Sequence, residues 1–98
     1  MAYLKVYDTP GGGWLLDVQT DLLDGLNVRT VVPLMVLGDA PVPAKRLNPI
    51  VEVDGTRTSM VTQYIASVPS SILGHPVADL SDRRDEITSA LDMLLHGF

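Results

Sequence analysis

The 98-residue sequence contains no cysteine, so disulfide bonds and zinc sites built on thiolates are excluded. Basic residues are also few: seven Lys and Arg stand against twelve Asp and Glu, which gives a net charge of −5. Because nucleic acids and anionic membranes attract proteins through clustered Lys and Arg, neither is expected as a direct partner. Long apolar runs are missing as well, since the longest, residues 31–37, is far shorter than a membrane span.

The N-terminal residues 1–8 have no apolar stretch of the length that a signal peptide needs, so we expect a cytoplasmic protein. A chain of this length fits a single domain, residues 1–98, built on one hydrophobic core. Its composition, 46% hydrophobic and 19% charged, supplies more apolar surface than so small a domain can bury. The excess favours a homodimer.

Known catalytic and metal-binding motifs do not occur in the sequence. His75 and His96 lie far apart, and no acidic residue stands near either at a zinc-site spacing. The serines have no GxSxG context, and the glycines at 11–13 fit neither a dinucleotide fingerprint nor a phosphate-binding loop. We therefore predict no catalytic residue, no metal and no cofactor, and we do not expect an enzyme.

Strand signals dominate the chain as far as residue 80. Alternating or β-branched apolar residues predict strands at residues 4–7, 14–20, 28–37, 50–60, 61–67 and 77–80. The first two form a hairpin, and Asp54 with Gly55 divides residues 50–60 into a second hairpin with a type I′ turn. Pro33 has no N–H to donate, so it is expected at a sheet edge or a bulge.

A C-terminal amphipathic helix is predicted after these strands. Ser81 is expected to cap its N-terminus, and Gly97 fits the position that ends it. Apolar residues recur between them at helical spacing: Ile87, Ala90, Leu91, Leu94 and Leu95. The sequence thus predicts an antiparallel, β-rich unit with one docked helix.

Two places are candidate contact surfaces. His96, Gly97 and Phe98 directly follow the helix at the end of the sequence, so we expect them at an exposed, rigidly held tip. Leu22 and Leu23 stand between polar residues, and this pattern fits core packing and an exposed docking patch equally well.

The order of the residues resembles the CcdB toxin family along essentially the whole chain. The resemblance is carried by Tyr7, residues 17–24 (DVQTDLLD), residues 31–34 (VVPL), residues 47–51 (LNPIV), Asp54, Gly55, Met60, Thr62, residues 66–69 (ASVP), Leu73, Gly74, residues 77–81 (VADLS) and the helix at 87–95. The block from residue 66 to residue 81 is the most specific part.

The resemblance implies a β-rich α+β fold, an SH3-like small barrel. It would consist of a five-stranded antiparallel sheet, a smaller three-stranded sheet and one C-terminal helix. It also implies a homodimeric toxin of a type II toxin–antitoxin module, which binds the A subunit of DNA gyrase and traps the cleaved-DNA complex. A CcdA-like antitoxin would neutralise the toxin and repress the operon together with it.

The family's gyrase contacts correspond here to His96, Gly97, Phe98, Asp92, Leu95, Leu22 and Leu23. Two of these positions depart from the familiar gyrase poisons. His96 stands where they carry a tryptophan that stacks on a gyrase arginine, and tryptophan is the best aromatic face for a cation. Asp92 stands where they carry an uncharged amide.

These departures leave alternative functions open. One is a retargeted or non-toxic homologue that keeps antitoxin binding. Another is a MazF-like endoribonuclease, since those toxins share this barrel, although seven scattered basic residues make a poor RNA-binding groove.

Overall fold

In the computed structural model, which describes residues 2–97, the chain folds into seven β-strands followed by one α-helix. The strands are β1 Lys5–Asp8, β2 Trp14–Asp17, β3 Val28–Val36, β4 Ile50–Val53, β5 Thr56–Met60, β6 Ala66–Pro69 and β7 Pro76–Asp79. The helix α1 spans Arg84–His96. Short 3₁₀ helices occupy several loops, among them Asp21–Leu23 and Thr62–Tyr64.

β3 organises the sheet, because it pairs with three other strands. Along one edge it pairs antiparallel with β2. Along the other edge residues 28–31 pair with β6, and residues 34–36 pair with β5. The curled sheet therefore divides into five strands (β6-β3-β2-β1-β7) and three strands (β4-β5-β3) that share β3. This half-barrel with one C-terminal helix confirms the fold expected from the resemblance.

Pro33 lies inside this central strand, neither on an edge strand nor at a bulge, and the expectation for it is wrong. Its carbonyl accepts a hydrogen bond from the N–H of Val61 at 3.0 Å. In an antiparallel strand the N and C=O of one residue point to the same side. The missing N–H of Pro33 therefore faces the junction where β3 passes from β6 to β5, and no ladder hydrogen bond is lost there.

The core lies between the inner face of the sheet and α1. Burial of a large apolar side chain there contributes about 1.5–3 kcal/mol. The buried cluster consists of Leu4, Val6, Leu16, Val32, Leu34, Val51, Val53, Met60, Leu80, Ile87 and Ala90.

The apolar stripe of α1 is buried in the first half of the helix and exposed at its C-terminal end. Ile87 and Ala90 are fully buried, whereas Leu95 is exposed. Leu95 is eight residues beyond Ile87, so it lies about 80° around the helix axis from it, at the border of the stripe. Within residues 2–97, no helix has both the length and the apolar character needed to cross a membrane.

The two ends of α1 differ in how well the sequence predicts them. Ser81 does not cap the helix: it begins a separate 3₁₀ turn, and its N–H and hydroxyl both donate to the carboxylate of Asp79. These hydrogen bonds, led by that of the hydroxyl, lower the pKa of Asp79 below its usual range. At the other end Gly97 has φ +80° and donates its N–H to the carbonyl of Met93 at 3.1 Å, which confirms the predicted helix end.

The strand predicted at residues 61–67 is also wrong in part. Residues 62–64 form a 3₁₀ helix, and β6 starts only at Ala66. The hydroxyl of Thr62 donates to the carbonyl of Leu47 at 2.5 Å, and the N–H of Tyr64 donates to the carbonyl of Val61. A buried side-chain hydrogen bond to the backbone competes here with the strand ladder.

The Asp54–Gly55 turn gives a direct test of backbone strain. Both residues have positive φ, +51° and +80°, which confirms the predicted type I′ hairpin. Gly55→Ala is expected to lower the free energy of unfolding by about 1 kcal/mol, because a Cβ disfavours this conformation. A Cβ at Gly55 meets no atom within 4 Å, so the cost comes from the backbone alone.

Urea unfolding measures this change, and Gly38→Ala is the matched control. Gly38 is equally uncrowded and lacks a positive φ. Its replacement is therefore expected to leave stability unchanged within about 0.5 kcal/mol or to raise it slightly. Equal effects of the two substitutions would contradict the strain argument.

Candidate docking site

The predicted contact residues fall in two separate places. Leu22 and Leu23 belong to the 3₁₀ helix Asp21–Leu23, which we call the leucine turn. Asp92, Leu95, His96 and Gly97 belong to residues 92–97, which we call the helix tip. Phe98, the remaining predicted contact, lies outside the described residues.

The leucine turn presents its first leucine to solvent. Leu22 is 92% exposed and Leu23 is 48% exposed. The hydroxyl of Thr20 accepts the N–H of Leu22 at 3.3 Å, and the carbonyl of Thr20 accepts the N–H of Leu23 at 3.1 Å. The backbone of the turn is thus satisfied locally. In this chain Leu22 does not pack into the core.

A buried ion pair lies directly beneath the turn. Arg29 of β3 is 4% exposed and Asp17 of β2 is fully buried. The guanidinium donates through Nε to Oδ2 of Asp17 at 2.7 Å and through Nη2 to Oδ1 at 2.9 Å. Such a bidentate arrangement is the strongest form of a charge-assisted hydrogen bond. It joins two neighbouring strands at the point where the loop between them begins.

Two further carboxylates connect the turn to this arginine. Nη1 of Arg29 donates to Oδ1 of Asp24 at 2.9 Å, and Nη2 lies 3.8 Å from Oδ1 of Asp21. The same Oδ1 of Asp21 accepts the backbone N–H groups of Ala2 and Tyr3 at 3.1 and 3.3 Å. The residues on either side of Leu22 and Leu23 are thereby tied to the sheet and to the N-terminal segment.

Gln19 completes this set of contacts, which we call the Arg29 cluster: Asp17, Gln19, Asp21, Asp24 and Arg29. The buried amide of Gln19 accepts the N–H of Thr30 at 2.9 Å and donates to the carbonyl of Val28 at 3.2 Å. The backbone carbonyl of Gln19 accepts a hydrogen bond from Nη2 of Arg29 at 3.0 Å. The start of the loop is therefore bonded to the start of β3.

The contacts within the Arg29 cluster stabilise the charged form of the Arg29 guanidinium. The hydrogen bond to Asp17 raises the pKa of Arg29 above its usual value, although burial acts in the opposite direction. The pKa of Tyr7 is raised as well, chiefly by burial and next by the negative charge of Asp17. The sequence did not identify this cluster. The one signal for it is Asp17, a charge that stands among Leu15, Leu16 and Val18.

The leucine turn borders the start of α1. A surface depression of about 540 Å³ is lined by Tyr3, Val18, Thr20, Asp21, Leu22 and Arg84. Its wall includes a cation–π contact, in which the guanidinium of Arg84 lies 5.6 Å from the ring centre of Tyr3. Apolar and charged groups therefore stand side by side around Leu22.

The helix tip lies at the other end of α1. Leu95, His96 and Gly97 are exposed there, and Asp92 is half-buried. A helix of 13 residues is about 20 Å long, so the end of the tip lies well away from Arg84, which borders the leucine turn. Among the described residues, α1 packs chiefly against the 3₁₀ segments at 45–47, 62–64 and 81–83, and the leucine turn is not one of these partners.

Other kinds of site find little support in the described part of the chain. Among residues 2–97 no group of three or more His, Asp or Glu side chains is arranged to hold a metal ion. A groove of about 320 Å³ between Lys45, Arg46, Pro49, Asp85, Glu86 and Ser89 is open and carries charges of both signs. The leucine turn and the helix tip remain the candidate docking surfaces.

The chain matches a known protein-family model. The model described as CcdB protein matches residues 4–97, nearly the whole chain. The matched range includes β1 to β7, the Arg29 cluster, the leucine turn and the helix tip.

The Arg29 cluster predicts a large effect of a single substitution on stability. Arg29→Met is expected to lower the free energy of unfolding by about 3–5 kcal/mol, because it leaves the buried carboxylate of Asp17 without its partner. Adding Asp17→Asn is expected to recover part of this loss, since the buried charge is then removed as well.

Urea unfolding of the purified variants measures both effects. Arg57→Met is the control: Arg57 lies exposed on β5, and its replacement is expected to change stability by less than about 0.5 kcal/mol. If Arg29→Met were as mild as Arg57→Met, the ion pair would not be the anchor of this region.

Proposed function

Because this chain belongs to the CcdB family of toxins from toxin–antitoxin modules, we propose that it inhibits bacterial DNA gyrase. It binds the A subunit and traps the complex of gyrase with cleaved DNA. It performs no catalysis of its own, and it acts in the cytoplasm as a single-domain homodimer. This proposal extends the family assignment to a target, a mode of action and a set of contact residues.

The main support for the proposal is that the leucine turn is exposed and held in place. A single exposed leucine is unremarkable in a folded protein. Here, however, Leu22 is almost fully exposed on a turn whose flanking residues are bonded to a buried ion pair. Since the turn is already ordered, docking loses little conformational entropy, and burying Leu22 contributes about 1.5–3 kcal/mol to binding.

The helix tip supplies the second part of the proposed surface. Leu95, His96 and Gly97 are held at the end of a docked helix, and Asp92 precedes His96 by one turn. Because the leucine turn and the tip are apart within one chain, the proposed homodimer matters. Two copies offer each contact area twice, so one gyrase subunit can meet a larger surface than one chain presents.

A CcdA-like antitoxin is the second proposed partner. It neutralises the toxin and represses the operon together with it. With a net charge of −5, this chain is a poor ligand for DNA. In such a co-repressor complex the antitoxin therefore makes the DNA contacts.

His96 favours one alternative, a non-toxic homologue that keeps the antitoxin. The gyrase poisons carry tryptophan at this position, and an imidazole offers a smaller face for stacking on an arginine. In that case the fold and the antitoxin surface persist while gyrase is not inhibited. Tight binding to the antitoxin encoded beside it, together with no growth arrest on expression, would establish this alternative.

A gyrase cleavage assay tests the proposal. Pure protein incubated with gyrase of its own host, DNA and ATP is expected to accumulate double-strand breaks that appear on denaturation of the complex. Leu22→Ser is expected to raise the concentration needed by about tenfold or more, because the buried leucine contact is lost.

Val42→Ser is the matched control for Leu22→Ser. Val42 is also 92% exposed, and it lies in the loop between β3 and β4, away from the leucine turn. Its substitution is expected to leave cleavage unchanged. The proposal fails if the unmodified protein neither traps cleaved DNA nor blocks supercoiling.

Position 96 gives an independent prediction. His96→Trp is expected to strengthen gyrase trapping roughly fivefold, because an indole gains about 1 kcal/mol over an imidazole when it stacks on an arginine. The same titration in the cleavage assay measures this gain. Unchanged or lower potency would show that residue 96 does not stack on the target.

A further inference from the structure

We infer that Asp24 is a positioning residue for docking: its ion pair with Arg29 holds the leucine turn so that Leu22 meets the partner. This inference rests on the proposed function, because it assigns a role in binding to a residue that need not touch the partner. It adds a residue outside the predicted contact set to the determinants of affinity.

Arg29 is a fixed point from which the turn can be held. Two of its three guanidinium nitrogens are bonded to the fully buried Asp17, and both residues belong to paired strands of the sheet. The third nitrogen, Nη1, donates to Asp24 at 2.9 Å. The guanidinium is planar and rigid, so its bonds to Asp17 also fix the direction in which Nη1 points.

Asp24 is the first residue after Leu23, and it is 58% exposed. Its carboxylate therefore joins the exposed turn to the buried arginine by a direct hydrogen bond. The residues that follow, Gly25 to Val28, are all exposed. Within the loop the N–H of Leu26 donates to the carbonyl of Leu23 at 3.1 Å, and the next bond to another segment is at Asn27, whose carbonyl accepts the N–H of Ser70 at 2.9 Å.

The bonds on the other side of the turn are weaker than this ion pair. The carboxylate of Asp21 lies 3.8 Å from Nη2 of Arg29, beyond hydrogen-bond distance, and accepts the backbone N–H groups of Ala2 and Tyr3 instead. Thr20 caps the turn through neutral hydrogen bonds to Leu22 and Leu23 that lie within the loop itself. The amide of Gln19 reaches the carbonyl of Leu23 only at 3.4 Å. Hydrogen bonds between charged groups are about twice as strong as neutral ones. Losing the Asp24 bond should therefore release the turn while leaving the sheet intact.

The first experiment measures the turn without any partner. Asp24→Asn keeps the size of the side chain and removes its charge. Amide hydrogen exchange within residues 21–27 is expected to become several-fold faster, with exchange in α1 unchanged. Asp39→Asn, an exposed substitution with the same change in net charge, is expected to alter neither segment.

The second experiment is a double-mutant cycle on affinity for the gyrase A subunit. Asp24→Asn alone is expected to weaken binding about three- to tenfold, the range expected when an ordered side chain must be immobilised on docking. Leu22→Ser is expected to weaken binding much less in the Asp24→Asn background than in the unmodified protein. His96→Ala is expected to weaken binding equally in both backgrounds, because the tip is held by α1. Asp24→Glu, which can still pair with Arg29, should restore most of the affinity.

A merely structural role of Asp24 would weaken all contacts alike, so additive effects of Asp24→Asn and Leu22→Ser would overturn the inference. Unchanged exchange in residues 21–27 would overturn it too. If the unmodified protein does not bind the A subunit at all, the proposed function fails. The exchange experiment then still decides whether Asp24 holds the turn.

Discussion

The buried pair of Asp17 and Arg29 is the interaction on which the surface of this protein depends. Burying two charges carries a desolvation penalty, and such a pair is weak evidence for stability in itself. Here the geometry offsets the penalty: two bonds join the pair, and two further N–H groups of Arg29 donate to Asp24 and to the carbonyl of Gln19. The pair consequently fixes one arrangement of the loop between β2 and β3. An apolar replacement could fill the space but could not aim a hydrogen bond at Asp24.

β3 provides the frame for this pair. Its nine residues exceed the length of any one partner strand, so it pairs with β6 first and with β5 afterwards. The change of partner at Pro33 joins the five-stranded and three-stranded parts and allows the sheet to curl around the core. Arg29 lies in the first half of β3, on the segment shared with β6 and next to β2. The curvature of the sheet and the position of the cluster thus follow from one long strand.

Local signals in the sequence predicted those parts of the fold that local chemistry decides. The Asp54–Gly55 turn, the end of α1 at Gly97 and the central stripe of Ile87 and Ala90 depend on neighbours within one hairpin or helix. The predictions of a cap at Ser81 and of a strand throughout residues 61–67 are wrong because the hydroxyls of Ser81 and Thr62 donate to Asp79 and to the carbonyl of Leu47. The exposure of Leu22 could not be predicted from its neighbours either. It follows from bonds between Asp17, Asp24 and Arg29 that exist only after β2 and β3 have paired.

The two candidate contact areas differ in how much a substitution there disturbs the rest of the structure. The leucine turn is attached to the Arg29 cluster, so a substitution that moves the turn also breaks contacts with Arg29. At the helix tip, Leu95 and His96 are exposed side chains on the last turn of α1, where substitutions usually change stability by less than about 0.5 kcal/mol. Under the proposed function, the contact residues of the tip can therefore change at little cost in stability while the turn stays the same. Histidine at position 96 fits this division, because this chain also contains the complete Arg29 cluster. Under the proposed function, the turn and the tip both contribute to affinity for gyrase, and the tip is the part that can change at little cost in stability.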